Sequence, residues 1–214
     1  MGITNTLRPV ETVTLPRRNW NVAENQTSQE FIYIQAAIIR SSLRTCSLFQ
    51  SKRKYAIGGK RFASKSLIAV TPGPQYFDVP IIGCPAWWGG QSWKEFLAQT
   101  LSVMLGQLAA NLEVCNGLCD REVFVAGFHG ELFHVTRGFF RNDVISRVHT
   151  KGCSESEDFE LEFTRGYDLC LRQDWVEAAR VLSRLFRYLL SGNAKVAGMQ
   201  DALREAAQAS RSVG

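Results

Sequence analysis

The chain has 214 residues, is 45% hydrophobic and carries a formal net charge of +5. That length and apolar content suit one domain with its own core and exclude a chain too polar to fold. The most apolar window, about Phe96 to Val114, is interrupted by Gln99, Gln107, Asn111 and Glu113, so no membrane span is expected.

Residues 1–27 read as a flexible tail, with Pro9, Pro16 and little apolar periodicity. Its opening, Met1-Gly2-Ile3-Thr4-Asn5-Thr6, fits the short N-myristoylation pattern with Gly2 as acceptor, a pattern that many chains match by chance. Thr27 or Ser28 caps a helix that is expected to run to about Leu48. Glu30 lies in its first turn, and Phe31, Ile34, Ala37 and Ile38 share a face. A basic break, Lys52-Arg53-Lys54, separates this helix from Tyr55-Ala56-Ile57, and Gly58-Gly59 signals a hairpin turn. A strand follows from about Arg61 to Val70, then a turn at Pro72-Gly73-Pro74. The next strand runs from Tyr76 to Cys84. Its Val79, Ile81 and Ile82 suit burial on both faces.

Gly89-Gly90 ends that unit. Ser92-Trp93-Lys94-Glu95 is a capping box that opens a long helix, with Leu97, Leu101, Met104, Leu108 and Leu112 at helical spacing. Glu122–Phe128 and Glu131–Arg137 form a hairpin around His129-Gly130, extended past a kink at Gly138, and Val144–His149 reads as a further strand. After a polar loop, Phe159, Leu161 and Phe163 alternate with Glu160 and Glu162 as in a half-buried strand. The last firm helix spans about Gln173 to Leu190, with Trp175, Ala179, Leu182, Phe186 and Leu189 inward and Gly192 as a stop. The organisation is thus an α/β domain over 28–192, followed by a weakly helical tail over 193–214.

Six cysteines at positions 46, 84, 115, 119, 153 and 170 show no regular spacing, and no apolar leader precedes Arg8 and Glu11. They read as reduced thiols in an intracellular protein, cytoplasmic or nuclear. Cys115 and Cys119 lack a partner pair, so no metal site is assigned. His129, His134 and His149 accompany no nucleophile motif, and no phosphate-cradling glycine motif is present. Between Glu30 and Asp78 the chain has no acidic residue, yet it holds Lys52, Arg53, Lys54, Lys60, Arg61 and Lys65. Such a field favours a polyanion, DNA or RNA, although a solvated surface has the same composition. Trp87 and Trp88 suit base stacking, or equally an interface or the rim of a core. Asp78 on the strand and Glu95 at the head of the next helix, with Lys94 and Gln99, could share a divalent metal, although Glu95 already caps its helix, Asp78 suits a strand edge and Gln99 suits a backbone partner.

Several stretches resemble the PD-(D/E)XK nucleases, and more specifically the nuclease-like domain that recurs in fungal proteins. The likeness is carried by Gly59-Lys60-Arg61-Phe62-Ala63-Ser64-Lys65-Ser66-Leu67-Ile68-Ala69-Val70, by Val79-Pro80-Ile81-Ile82-Gly83-Cys84-Pro85, by the helix with Gln99, and by Val123 to His134. It spans about residues 28–190. It implies a restriction-endonuclease-like core: helix, three strands, helix, strand hairpin and helix, with a mixed sheet flanked by helices. It also implies a Mg²⁺ site for phosphodiester hydrolysis, but the family's Asp position falls on Leu67, its Glu on Gly83 and its Lys on Pro85. Gln99 alone persists. The expectation is a catalytically degenerate domain that binds nucleic acid or acts as a scaffold, with no cofactor. The alternatives are a Mg²⁺- or Mn²⁺-dependent nuclease in which Asp78, Glu95, Lys94 and Gln99 have taken over, and a protein-interaction module that uses Trp87, Trp88 and Trp93.

Overall fold

Strands β1 (Ser47–Ile57) and β2 (Lys60–Thr71) open the structure, a computed structural model that describes residues 47–71, 82–85, 90–114, 119–154, 158–191 and 193–196. Gly58 and Gly59 join them with φ of 55° and 75°, the left-handed pair that a two-residue hairpin of matching twist requires. Next come β3 (Ile82–Pro85), helix α1 (Trp93–Val114), and the hairpin of β4 (Arg121–His129) and β5 (Leu132–Phe140). Helix α2 (Asn142–Lys151), β6 (Leu161–Phe163), β7 (Tyr167–Asp168) and helix α3 (Arg172–Leu190) complete the order. The sheet has seven strands in the order β1-β2-β3-β4-β5-β6, with β7 beside β5. β3 and β4 are parallel, with α1 between them in the chain, and the other pairs are antiparallel. This is an α/β protein with a mixed open sheet flanked by helices.

Strand alternation builds two cores. On β4, Phe124, Ala126 and Phe128 point to one face, where Trp175, Ala178, Leu182, Phe186 and Leu189 of α3 cover them. Val123 and Val125 point to the other, against Val103, Met104 and Leu108 of α1. Burial of each such large apolar side chain contributes about 1.5–3 kcal/mol. The capping box at the start of α1 forms as expected: the Ser92 amide donates to Glu95 Oε2 at 2.8 Å, and the Glu95 amide donates to Ser92 Oγ at 3.3 Å.

One buried carboxylate ties the layers together. Glu122 on β4 is 2% exposed. It accepts from Arg137 Nε on β5 at 2.8 Å, from the Tyr188 hydroxyl on α3 at 2.6 Å and from the Lys195 amide at 2.9 Å. Burial alone would raise its pKa, but the Tyr188 hydroxyl, the Lys195 amide and the Arg137 guanidinium outweigh burial and hold it below the usual glutamate value. Burial and the neighbouring carboxylate in turn push the Tyr188 phenol up to about 12.

Several expectations are corrected. Lys52-Arg53-Lys54 is no break but the middle of β1, which already begins at Ser47, inside the expected first helix. Val144–His149 is helical, not a strand: Ile145 and Val148 are buried together, and Asp120 Oδ1 accepts from the Asn142 amide at 3.2 Å. Its β-branched run favours a strand, but the apolar spacing fits a helix, and packing decides. β5 continues through Gly138 to Phe140 with unbroken register. On α1 the most buried positions are Phe96, Thr100, Val103, Met104, Gln107 and Asn111, while Leu97, Leu101 and Leu112 are half-buried. On α3, Ala178 rather than Ala179 is fully covered. Residues 193–196 are not helical, and Ala194 and Val196 are buried in the α3 core. Residues 1–46 (with Gly2 and most of the expected first helix), the turn at 72–74, the stretch 76–81, Gly192 and residues 197–214 lie outside the described residues. Among the described residues, no helix is long and apolar enough to cross a membrane.

Glu122→Ala is expected to lower unfolding stability by about 3 kcal/mol, because it strands a guanidinium, a phenol and an amide at once. Arg137→Ala should cost less, since its side chain is 38% exposed and water can replace part of its role. Urea titration of both variants checks this order, and equal losses would contradict it.

Candidate nucleic-acid interface

The register of β1 and β2 sorts the basic residues by face. Lys52 stands opposite Lys65, Arg53 opposite Ser64, Lys54 opposite Ala63, Tyr55 opposite Phe62, Ala56 opposite Arg61, and Ile57 opposite Lys60. Directly paired residues share a face, and faces alternate along each strand. Lys52, Lys54, Arg61 and Lys65 therefore lie on one face, separated by Ala56 and Ala63. All four of these cations are exposed. Arg53, Tyr55, Phe62, Ser64 and Lys60 lie on the opposite face, which α1 covers in part: the Tyr55 hydroxyl and Ser102 Oγ are 3.0 Å apart. Of the six residues expected to bind nucleic acid, the fold brings four onto one open surface. Arg53 is directed to the helix side, and Lys60 sits beside the turn.

Among the described residues, no carboxylate forms an ion pair with Lys52, Lys54, Arg61 or Lys65. Like charges directly opposite on neighbouring strands cost several tenths of a kcal/mol to about 1 kcal/mol. The Lys52–Lys65 pair is such a placement. The ribbon's tip is anchored elsewhere: the amides of Gly58 and Gly59 donate to the Val148 and His149 carbonyls of α2 at 3.0 and 3.3 Å. Those carbonyls belong to the last turn of a helix, and that of Val148 also accepts from the Gly152 amide at 3.0 Å.

The positions that would carry the nuclease chemistry look different. β3 is buried along its whole length. A Cβ added at Gly83 would lie 2.5 Å from Val103 Cγ1 and 3.1 Å from Gln107 Oε1, so α1 already fills the space of a side chain there. Pro85 packs on Gly127, where an added Cβ would meet the proline ring at 2.8 Å. Leu67 stands in β2. Leucine, glycine and proline side chains offer no metal ligand, so these residues do not fit a Mg²⁺ ion. Glu95 is exposed and engaged by Ser92, whose amide and hydroxyl hold its carboxyl below the usual value. Lys94 is exposed on the same turn. Gln99 accepts a hydrogen bond from Gln91 Nε2 at 2.9 Å. Asp78, Trp87, Trp88 and Cys115 lie outside the described residues. Among the described residues, no group of three or more His, Cys, Asp or Glu side chains could hold a metal ion.

A second cluster was not legible in the sequence. At the N-terminal end of α1, the Trp93 ring lies 5.2 Å from Phe96, 5.0 Å from His129, 5.9 Å from His134 and 5.5 Å from Phe163. Trp93 is 43% exposed and Leu132 nearby on the hairpin is 41% exposed, while His134 is buried at 7%. His134 Nδ1 lies 3.4 Å from the Thr164 carbonyl. Burial lowers the His134 pKa, the Thr164 carbonyl opposes that shift, and His129 adds to it. The only hint in the sequence was the two-residue alternation that places His129 and His134 on one face of the hairpin. Burial pushes the Cys84 thiol up, which leaves it an inert part of the core.

Compared with known proteins, the chain matches no protein-family model and no curated relative.

Gly83→Glu is expected to destabilise the protein by more than about 2 kcal/mol, through overpacking and an unpaired buried charge, without creating Mn²⁺ affinity. Thermal unfolding with and without Mn²⁺ tests this, and a metal-dependent rise in the midpoint would contradict it. A second expectation concerns pH. A histidine whose folded pKa is lowered stabilises the fold above its ordinary value near 6.5, and that stability is lost as pH falls through this value. The urea midpoint should therefore drop between pH 8 and pH 5.5, and His134→Phe should shrink that drop. An unchanged drop in the variant would remove His134 as its source.

Proposed function

We propose that this chain is a nuclease-like α/β domain that has lost its metal-dependent chemistry and binds the phosphate backbone of nucleic acid through Lys52, Lys54, Arg61 and Lys65. The observation that carries this reading is the directly opposed, exposed Lys52–Lys65 pair, flanked by two more cations of the same face. The free protein bears a repulsion there that a bound polyanion relieves. The nuclease-like part is supported by the order of elements: an antiparallel run β1–β2–β3, a crossover helix, a strand parallel to β3 and a hairpin, the order that the sequence resemblance implies. Loss of cleavage is supported by the closed space at Gly83 and by the donor-free Leu67 and Pro85.

Protection of a sheet edge is the competing explanation, because lysines on an outer strand discourage edge-to-edge pairing. It accounts for Lys52 and Lys54 on β1 and extends to Arg61 and Lys65, because β3 pairs with β2 only over Ser66–Val70, but it does not require Lys52 and Lys65 to stand directly opposite each other. A protein-docking role is favoured by one observation, the exposure of Trp93 and Leu132 on one aromatic patch. Trp93→Ala with loss of a partner, and unchanged nucleic-acid binding, would support that second reading.

The test is a paired measurement on Lys65→Gln. Nucleic-acid affinity is expected to fall several-fold at low salt. Stability of the free protein should rise by a few tenths of a kcal/mol, as the cross-strand repulsion is removed. Neither Mg²⁺ nor Mn²⁺ should support cleavage. Unchanged affinity, or metal-dependent cleavage that Glu95→Ala abolishes, would overturn the proposal.

A further inference from the structure

We infer that the β1–β2 ribbon follows one run of phosphates and reads no base sequence, an inference that rests on the proposed nucleic-acid binding. Between the cations, its exposed face carries Ala56 and Ala63, which have no hydrogen-bonding group and no ring. The ribbon's aromatic pair, Tyr55 and Phe62, stacks at 5.7 Å on the opposite face. Base stacking needs rings that this surface lacks, and base-edge hydrogen bonding could come only from its four cations.

Arg61 and the three lysines could read a guanine edge only if the ribbon entered a major groove. The hairpin tip that would have to enter is held by the Gly58 and Gly59 amides against α2. An added Cβ at Gly58 would also lie 3.2 Å from the Gly152 backbone, so the tip and the end of α2 are in close contact. The ribbon therefore presents a flat face rather than a projecting finger.

Its dimensions point the same way. From Lys52 to Ala56, opposite Arg61, the cations span about 14 Å along the strand and about 5 Å across the pair. Four cations on so short a strip can meet at most about four phosphates of one backbone. Nothing on a strip one strand gap wide requires a second backbone.

The experiment uses the full chain and labelled 20-nucleotide probes of unrelated sequence, single-stranded and duplex, in fluorescence anisotropy across a salt series. Inorganic polyphosphate serves as competitor. Affinities are expected to agree within about threefold across sequences of the same strandedness. The log–log salt slope should be no steeper than about −3.6 for duplex and −2.8 for single strands, the values for four phosphate contacts. Polyphosphate should displace both probes, and Arg61→Lys, which keeps the charge but not the fork, should bind as the parent does. A tenfold preference for one sequence, failure of polyphosphate to compete, or a sequence-dependent loss in Arg61→Lys would overturn the inference. Absence of binding to every nucleic-acid probe would instead overturn the parent reading. Polyphosphate binding in that same experiment would show phosphate recognition without nucleic acid as its target.

Discussion

The close approach of α1 to the sheet is the constraint on which the rest depends. Gly106 lies so near Ser64 and Arg53 Cβ that any larger residue would force the helix outward, and Gly83 leaves room for Val103 and Gln107. Two small residues thus let a 22-residue helix settle on β1, β2 and β3. That contact has two consequences. It closes the space around Gly83 in β3. It also commits one face of the β1–β2 ribbon to the helix, so the cations of the other register positions must face outward. The filled space at Gly83 and the display of the basic strip follow from a single packing solution.

Glu122 is a separate constraint, and a more demanding one. A carboxylate that loses its water must recover several hydrogen bonds, or it costs more than its packing contributes. It recovers them from β5, α3 and the segment after α3, so the hairpin, the helix and residues 193–196 are ordered together. The Glu122 amide also donates to nothing in its own ladder at that edge but to the Lys195 carbonyl, at 3.0 Å. This explains why a stretch that reads as a fraying tail is held to the core at its first residues. Its composition is tail-like, but its backbone completes a buried network.

What could be read in the sequence were the features set by local rules. The capping box at Ser92, the Gly58-Gly59 turn, the β4–β5 hairpin and the half-buried β6 each depend on a few neighbouring residues, and each forms. What could not be read were choices settled by distant partners. Lys52-Arg53-Lys54 resembles an interruption because charged residues are poor strand formers, yet pairing with β2 makes it a strand centre. Val144–His149 resembles a strand until Asp120 and the hairpin tip satisfy the two ends of a helix there. The basic residues were visible as a run, but the alternation that sorts them by face needs the register. The Trp93–His129–His134–Phe163 cluster joins four elements, and only the hairpin's alternation, which puts His129 and His134 on one face, hints at it.

The sorting of charge also bears on why the strip exists at all. A ribbon needing only solubility would place opposite charges across the strands, since such pairs gain a few tenths of a kcal/mol where like pairs lose as much. Here a surface with alanines between its cations sets Lys52 against Lys65, and β1 and β2 carry two of the four charges each. Elsewhere the same sheet does the opposite: Arg137 on β5 lies between Glu122 on β4 and Glu162 on β6, with both carboxylates within hydrogen-bond distance. Among the described residues, the sheet thus pairs Glu122, Arg137 and Glu162 on β4, β5 and β6, while Lys52, Lys54, Arg61 and Lys65 on β1 and β2 meet no carboxylate. A general preference for charged surfaces does not produce that asymmetry. The proposed binding of an anion at that end of the sheet would account for it.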